Sequence, residues 1–323
     1  MRLFDPARAF LWGWRLSTRV PEVVTRGVLH VGADVAWLLR TKGVRRLEAN
    51  IGRARPGASR RTLRRMSREG MRNYLRYFAE AFNLPRLTPE QIDARVRSVG
   101  VETAMAEAGA GRAVVLALAH QGNWDLAGAW ATMHVAPATT VAERLEPPEL
   151  FDEFVRLRAA LRVRVIPLDR GSDVFRQLIR IVQAGNALIP LLSDRDLTSR
   201  GVEVTLLGER ARVAAGPAAL AVAAGTMVIP TTLRHERLHG ARRRAAGSRW
   251  GMVVTFNAPV VVPQGIPRTA QVQRVTQEWV DVLSADIIEH PTHWHMLQKV
   301  FVADLDDRSA TSTPAPAAAV EPS

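Results

Sequence analysis

A chain of 323 residues that is 47% hydrophobic can close a large apolar core, and its lack of cysteine excludes disulfide staples, cysteine-ligated zinc and a thiol nucleophile. The net charge of +13 sits at the N-terminus, where 18 Lys/Arg stand against 5 Asp/Glu between Met1 and Arg76 and leave the remainder balanced. Such an excess meets either nucleic acid or an anionic membrane surface.

The residues between the arginines choose the membrane. From Arg2 to about Leu84 the pattern is helical, and it interleaves Phe4, Phe10, Trp12, Trp14, Leu16, Val24, Val28, Val31 and Trp37 with the basic residues. That is too apolar, and too rich in tryptophan, for a phosphate-binding arm, so nucleic acid is set aside and an interfacial helix is predicted. The competing reading makes these residues ordinary core positions of the first helices. The arginine-rich face from Arg60 to Arg76 reads as solvated or lipid-facing. No segment is expected to span a bilayer: 27–39 is short and contains Asp34, and 213–233 is interrupted by Gly216, Pro217, Gly225 and Pro230. Arg15, Arg19 and Glu22 break any secretory signal, which predicts a peripheral protein at the cytoplasmic side. The chain divides into an N-terminal helical membrane-associating region (1–85), an α/β core (86–306) and a tail (307–323) whose Ser, Thr, Pro, Ala and Glu lack periodicity and predict disorder.

Beyond Leu84, strands and helices alternate. Strands are predicted near 96–99, 113–118, 139–141, 165–167, 187–191, 227–233 and 252–256, with helices near 103–108, 126–133, 149–161, 174–184 and 217–224 and a last one over 269–289. This alternation predicts an α/β fold with a mostly parallel central sheet flanked by helices. The strand over 113–118 ends in His120-Gln-Gly-Asn-Trp-Asp125, where an imidazole is delivered at a carboxyl end and an acid follows five residues later. On one helix that spacing would turn the two side chains apart, so they meet only across a strand-to-helix turn, for which Gly122 supplies a positive φ or a close approach. Asp125 would then hold Nδ1 of His120 and leave Nε2 to take a proton from an alcohol. The alternative is that His120 merely ends the strand and Asp125 caps the next helix.

Two further polar groups follow predicted strands: Glu143 with Arg144, and Asp194-Arg195-Asp196 with the extended Gly201-Val-Glu203-Val segment beyond. Three such clusters at three strand ends predict one shared cleft. His290, His293 and His295 lack acidic or sulfur ligands at a metal spacing, so they are expected to pack with Trp294 against the core or the cleft, and no metal is predicted. There is no P-loop and no Gly-x-Ser-x-Gly elbow.

The HQGNWD block, Arg46-Leu-Glu-Ala-Asn50-Ile, Ser193-Asp-Arg-Asp-Leu with Gly201-Val-Glu-Val, Ala215-Gly-Pro-Ala-Ala-Leu220 and His293-Trp-His-Met-Leu-Gln298 together resemble the lysophospholipid acyltransferase superfamily, over about residues 25 to 305. Within it they look like the branch shared by lipid A acyltransferases and actinobacterial phosphatidylinositol mannoside acyltransferases, and closest to the latter. The glycerolipid branch carries Phe-Pro-Glu-Gly-Thr-Arg where this chain has Ser193-Asp194-Arg195-Asp196, which argues against glycerol-3-phosphate as acceptor. The resemblance implies that His120, Asp125 and Glu143 are catalytic, and that Arg144, Asp194, Arg195, Glu203 and His293 contact substrate. It also implies acyl-CoA as donor substrate with no resident cofactor, a phosphatidylinositol mannoside glycolipid as acceptor, and direct attack of a sugar hydroxyl on the thioester without an acyl-enzyme. Backbone N–H groups near Gly122, or Arg195, would stabilise the oxyanion. The alternatives are a lipid A-like or other glycolipid acceptor, and a non-catalytic lipid-binding protein.

Overall fold

Five α-helices precede the first strand in the computed structural model, which describes residues 6–17, 19–168, 173–196 and 201–305. Phe4 and the tail expected to be disordered lie outside those residues. The first four helices are α1 (Pro6–Ser17), α2 (Glu22–Leu38), α3 (Lys42–Ala54) and α4 (Arg60–Asn83). Thr41 and Ser59 start the third and fourth by accepting from the N–H groups of Val44 and Thr62. Then come α5 (Pro89–Arg95), β1 (Val96–Val99), α6 (Glu102–Gly109), β2 (Val114–Leu118), α7 (Trp124–His134), β3 (Thr139–Glu143), α8 (Pro148–Ala160), β4 (Arg164–Leu168), α9 (Val174–Ala184) and β5 (Leu188–Leu192). The remainder holds β6 (Val202–Leu206), β7 (Glu209–Val213), α10 (Gly216–Ala224), β8 (Val228–Arg237), α11 (Gly240–Ala246), β9 (Trp250–Phe256), α12 (Arg268–Glu289) and α13 (Val302–Leu305).

The central sheet runs β1-β9-β8-β2-β5, with every neighbouring pair parallel except β8 and β9. This is the mostly parallel α/β arrangement expected. β3 and β4 form a parallel pair of their own, bridged to the β5 edge through Ala138 and Leu188. All five β2 side chains are buried, as a central parallel strand requires. Leu116 and Leu118 belong to the apolar cluster of Tyr77 and Phe78, while Val115 and Ala117 join that of Leu220 and Trp279 on the opposite face.

Four elements go beyond the sequence pattern: α5, β7, α11 and the short α13. β7 pairs antiparallel with β6 across Leu207 and Gly208, both at positive φ, which is the geometry of a two-residue type I′ turn. The segment carrying Glu203 is therefore one arm of a hairpin rather than a lone extended stretch.

The N-terminal apolar residues divide between the interior and the surface. Leu11 and Trp14 are buried, and Trp14 stacks on Phe82 with ring centroids 4.7 Å apart. Trp12 and Leu16 are exposed, as are Val24, Val28, Val31, Val35 and Leu38, which follow one another at alternating four- and three-residue steps and so form one stripe along α2. The stripe faces outward because the opposite side of α2, with Thr25, Ala33 and Ala36, is buried against α4. Asp34 takes paired bonds from both Arg68 and Arg72, the shortest being 2.7 and 2.6 Å. The arginine-rich face of α4 thus differs from expectation toward its C-terminal end: Arg76 is buried, with its guanidinium 3.6 Å from the centre of the Trp250 ring. Among the described residues no helix is long and apolar enough to cross a membrane.

Candidate active site

Strand order builds the site. β2 and β5 are adjacent and in register, Leu118 beside Leu192, and the N–H of Ser193 continues the ladder by donating to the carbonyl of Leu118 at 2.8 Å. Two residues past each strand, His120 and Asp194 therefore come side by side. Nδ1 of His120 lies 2.6 Å from Oδ1 of Asp194, and the backbone N–H of His120 donates to Oδ2 at 3.0 Å. The indole of Trp294 also donates to Oδ2, at 2.8 Å.

Asp194 is fully buried. Burial works to raise its carboxyl, but the His120 ring, the Trp294 indole and the His120 N–H outweigh it and hold the group below the usual carboxylate range. An ionised Asp194 accepts only, so Nδ1 carries the proton and Nε2 keeps its lone pair. Nε2 makes no hydrogen bond among the described residues, and the side chain is 22% exposed. This is the arrangement of a general base.

The expectation that Asp125 orients His120 is corrected by this geometry, since Asp194 occupies that place. Gly122 does take a positive φ of 53°. The cap of α7 is Asn123, whose side-chain oxygen accepts from the N–H of Leu126 at 3.0 Å, so the capping alternative for Asp125 fails as well. Residue 125 in the first helical turn points into the interior. There it accepts from the Tyr77 hydroxyl and from Nε of Arg158, both at 2.8 Å, in a pair only 4% and 13% exposed.

Of the remaining predicted residues, the structure brings two together. Glu143, the last residue of β3, lies 3.8 Å from the guanidinium of Arg195. Arg195 also meets the side chain of Gln298, and burial lowers its guanidinium pKa against the opposing pull of Asp194 and Glu143. Three are placed differently. Glu203 is held in its own hairpin by Arg210 and Arg212, with 3.1 Å to the latter. Arg144 lies with its guanidinium 5.3 Å from the centre of the Phe151 ring. His293 sits behind the turn after His120, where its carbonyl accepts from Gly122 N–H at 3.3 Å and its Nδ1 from His235 N–H at 3.2 Å.

The backbone donors proposed for an oxyanion are occupied. Gln121 N–H donates to the Ala119 carbonyl, Gly122 N–H to His293 and Asn123 N–H to the sulfur of Met252. Arg195 is a charged donor close to Asp194. The roles of Trp294, Tyr77 and Arg158 escape sequence reasoning. Trp294 stands in a quoted block, but its indole bond depends on where Asp194 lands. Asn50, from another block, donates to the carbonyls of Met296 and Gln298 at 2.8 and 3.1 Å and so fixes the segment that carries Trp294.

The profile of the bacterial lipid A biosynthesis acyltransferase family matches residues 7–302. A phosphatidylinositol mannoside acyltransferase of Mycolicibacterium smegmatis is 35% identical over 91% of this chain and 91% of its own length. One from Mycobacterium tuberculosis is 33% identical over 93% of this chain and 89% of its own. Among solved structures, the 1-acyl-sn-glycerophosphate acyltransferase PlsC of Thermotoga maritima aligns with 80% of this chain and 98% of its own at 15% identity, with a TM-score of 0.34.

Proposed function

The chain belongs to the bacterial lipid A biosynthesis acyltransferase family and is an acyltransferase, and from that premise we propose that it transfers a long, palmitoyl-like acyl group from acyl-CoA to a mannose hydroxyl of a phosphatidylinositol mannoside. The observation that carries the reading is the 2.6 Å contact between His120 Nδ1 and buried Asp194. Nε2 of His120 removes the hydroxyl proton as the sugar oxygen bonds to the thioester carbon. The tetrahedral oxyanion collapses, the C–S bond breaks, and the imidazolium returns the proton to the departing thiolate of CoA. Asp194 keeps the imidazole in one tautomer and stabilises its charged form. Arg195 faces the developing oxyanion, and Glu143 opposite it binds acceptor hydroxyls.

The acceptor is argued from the names of the two mycobacterial relatives. A lipid A-like glycolipid is the second reading, favoured by the name of the family. The exposed stripe on α2, with Trp12 and Leu16 of α1, supports peripheral docking on an anionic bilayer, at the inner face of the cytoplasmic membrane.

The test is CoA release by the purified protein with palmitoyl-CoA and a panel of glycolipid acceptors. Turnover is expected with phosphatidylinositol mannosides and should fall by on the order of 1,000-fold or more in His120→Ala. Turnover with lipid A precursors alone would replace the acceptor. Undiminished turnover in His120→Ala would remove the base assignment.

A further inference from the structure

The turn after His120 is tied to a buried carboxylate that the reaction steps above leave unused. Glu80 of α4 is 5% exposed, and its Oε2 accepts from Nδ2 of Asn123 at 2.9 Å. Nε2 of His235, on β8, lies 3.4 Å from the same oxygen. A carboxylate buried this deeply is costly unless partnered. Burial pushes the Glu80 carboxyl up, but His235, Asn123 and Arg76 together hold it below the usual range, so it meets Asn123 as an anionic acceptor.

Asn123 works at both ends of its amide. Its oxygen caps α7 at Leu126 while its nitrogen donates to Glu80, which fixes the amide in one orientation. Only Gln121 and Gly122 separate it from His120, and neither has slack. Gln121 donates to Oδ2 of Asp286 at 2.7 Å, and Gly122 is pinned by His293 in front of Leu233, whose backbone carbon stands 3.1 Å from where a Cβ would be. A shift of Asn123 therefore passes along the turn to the imidazole.

We propose that Glu80 is a positioning residue: acting through Asn123, it fixes the turn that aims Nε2 of His120 at the acceptor hydroxyl. The proposal rests on the reading of His120 as general base. Aim matters here because a displacement of about 1 Å in a reacting group costs on the order of 100-fold in rate.

Four variants of the full chain test it, read by kcat and KM for palmitoyl-CoA and acceptor and by the nitrogen NMR signals of the His120 ring. Glu80→Gln keeps an acceptor for Asn123 and is expected to stay within roughly threefold of wild-type kcat, whereas Glu80→Leu removes the acceptor and should lose on the order of 10- to 100-fold in kcat at nearly constant KM. Asn123→Asp sets two carboxylates face to face and should lose a comparable amount. Combining Asn123→Asp with Glu80→Gln reverses donor and acceptor and should recover at least about tenfold over Asn123→Asp alone. Folded Glu80→Leu protein with wild-type kcat and an unmoved His120 signal would overturn the proposal. So would a pair no better than Asn123→Asp, a comparison that holds even if Glu80→Leu does not fold. The ring signal needs no substrate, so wild-type protein inert toward every glycolipid would remove the proposed function while the displaced or unmoved His120 resonance still decides the part of Glu80.

Discussion

Asp125 and Asp194 are the same residue type, both buried and both close to the turn after His120, yet they belong to regions built for different work. Around Asp194 three donors converge on one carboxylate, and one of them, the imidazole, is also partly open to solvent. Around Asp125 the partners are Tyr77 and Arg158, a phenol and a guanidinium enclosed between α4, α7 and α8. There the charge of Asp125 offsets burial and raises the Arg158 guanidinium above its ordinary value. The difference teaches that distance along the chain is a poor guide to a side chain's chemical role, which is set by the partners that the strand order delivers.

The largest expected effect separates the two acids through the reaction. Asp194→Asn offers an amide where the imidazole needs an acceptor, which favours the wrong tautomer, and kcat should fall by on the order of 1,000- to 10,000-fold while the protein stays folded by circular dichroism. If Asp125→Asn gives the same loss of kcat with unchanged stability, the comparison breaks. The second effect lies in stability. Asp125→Ala leaves Arg158 buried and unpaired and should cost about 3–5 kcal/mol in urea unfolding, whereas Asp125→Ala combined with Arg158→Met should recover most of it. An additive double variant would show that the two side chains are not coupled.

The smallest effect sharpens the comparison through pH. Behind the turn, His295 donates to the Gly122 carbonyl at 3.2 Å, and its pKa is pushed down to about 3 by burial, assisted by the nearby charge of His235. Folding keeps this ring neutral, so its contribution to stability is complete above its unfolded value of about 6.5 and is lost as pH falls from there toward its folded value, by up to about 1.4 kcal/mol per pH unit. Denaturant midpoints at pH 7 and pH 5 should therefore differ less in His295→Asn than in wild type. Asp194 acts lower on the scale. Its depressed carboxyl supports the fold above roughly pH 4 and ceases to do so as pH drops through the folded value, so its loss begins only near the lower end of the His295 window.

Much of this was legible in the residues because it depends on local pattern. The apolar run of β2 marks a buried strand, and the polar break after it marks a carboxyl end where α/β proteins place their chemistry. Gly122 could be recognised as a turn residue with unusual backbone. The partner of His120 could not, because it depends on β5 rather than β3 lying next to β2, and no local periodicity encodes which parallel strands become neighbours. β7 escaped because Glu209-Arg-Ala-Arg-Val213 alternates charged with apolar residues over a stretch too short to outweigh its surface character, and α11 because Gly-Ala-Arg-Arg-Arg-Ala-Ala lacks an apolar stripe. The basic excess located an unusual N-terminus, but the burial of Ala33 and Ala36 against α4, which leaves the valines of α2 outward, and the pairing of Asp34 with Arg68 and Arg72 are tertiary facts.

The crowding at Gly122 bears on how such an enzyme can diversify. A methyl group there would stand 3.0 Å from the Cβ of Leu233 on a backbone that L-residues rarely adopt, so the floor beneath the reacting atoms tolerates almost no editing. Glu143, with 43% of its side chain in solvent, is far less confined. On the proposed reading, attempts to retarget the protein toward a different sugar should vary Glu143 and leave the turn at Gly122 alone.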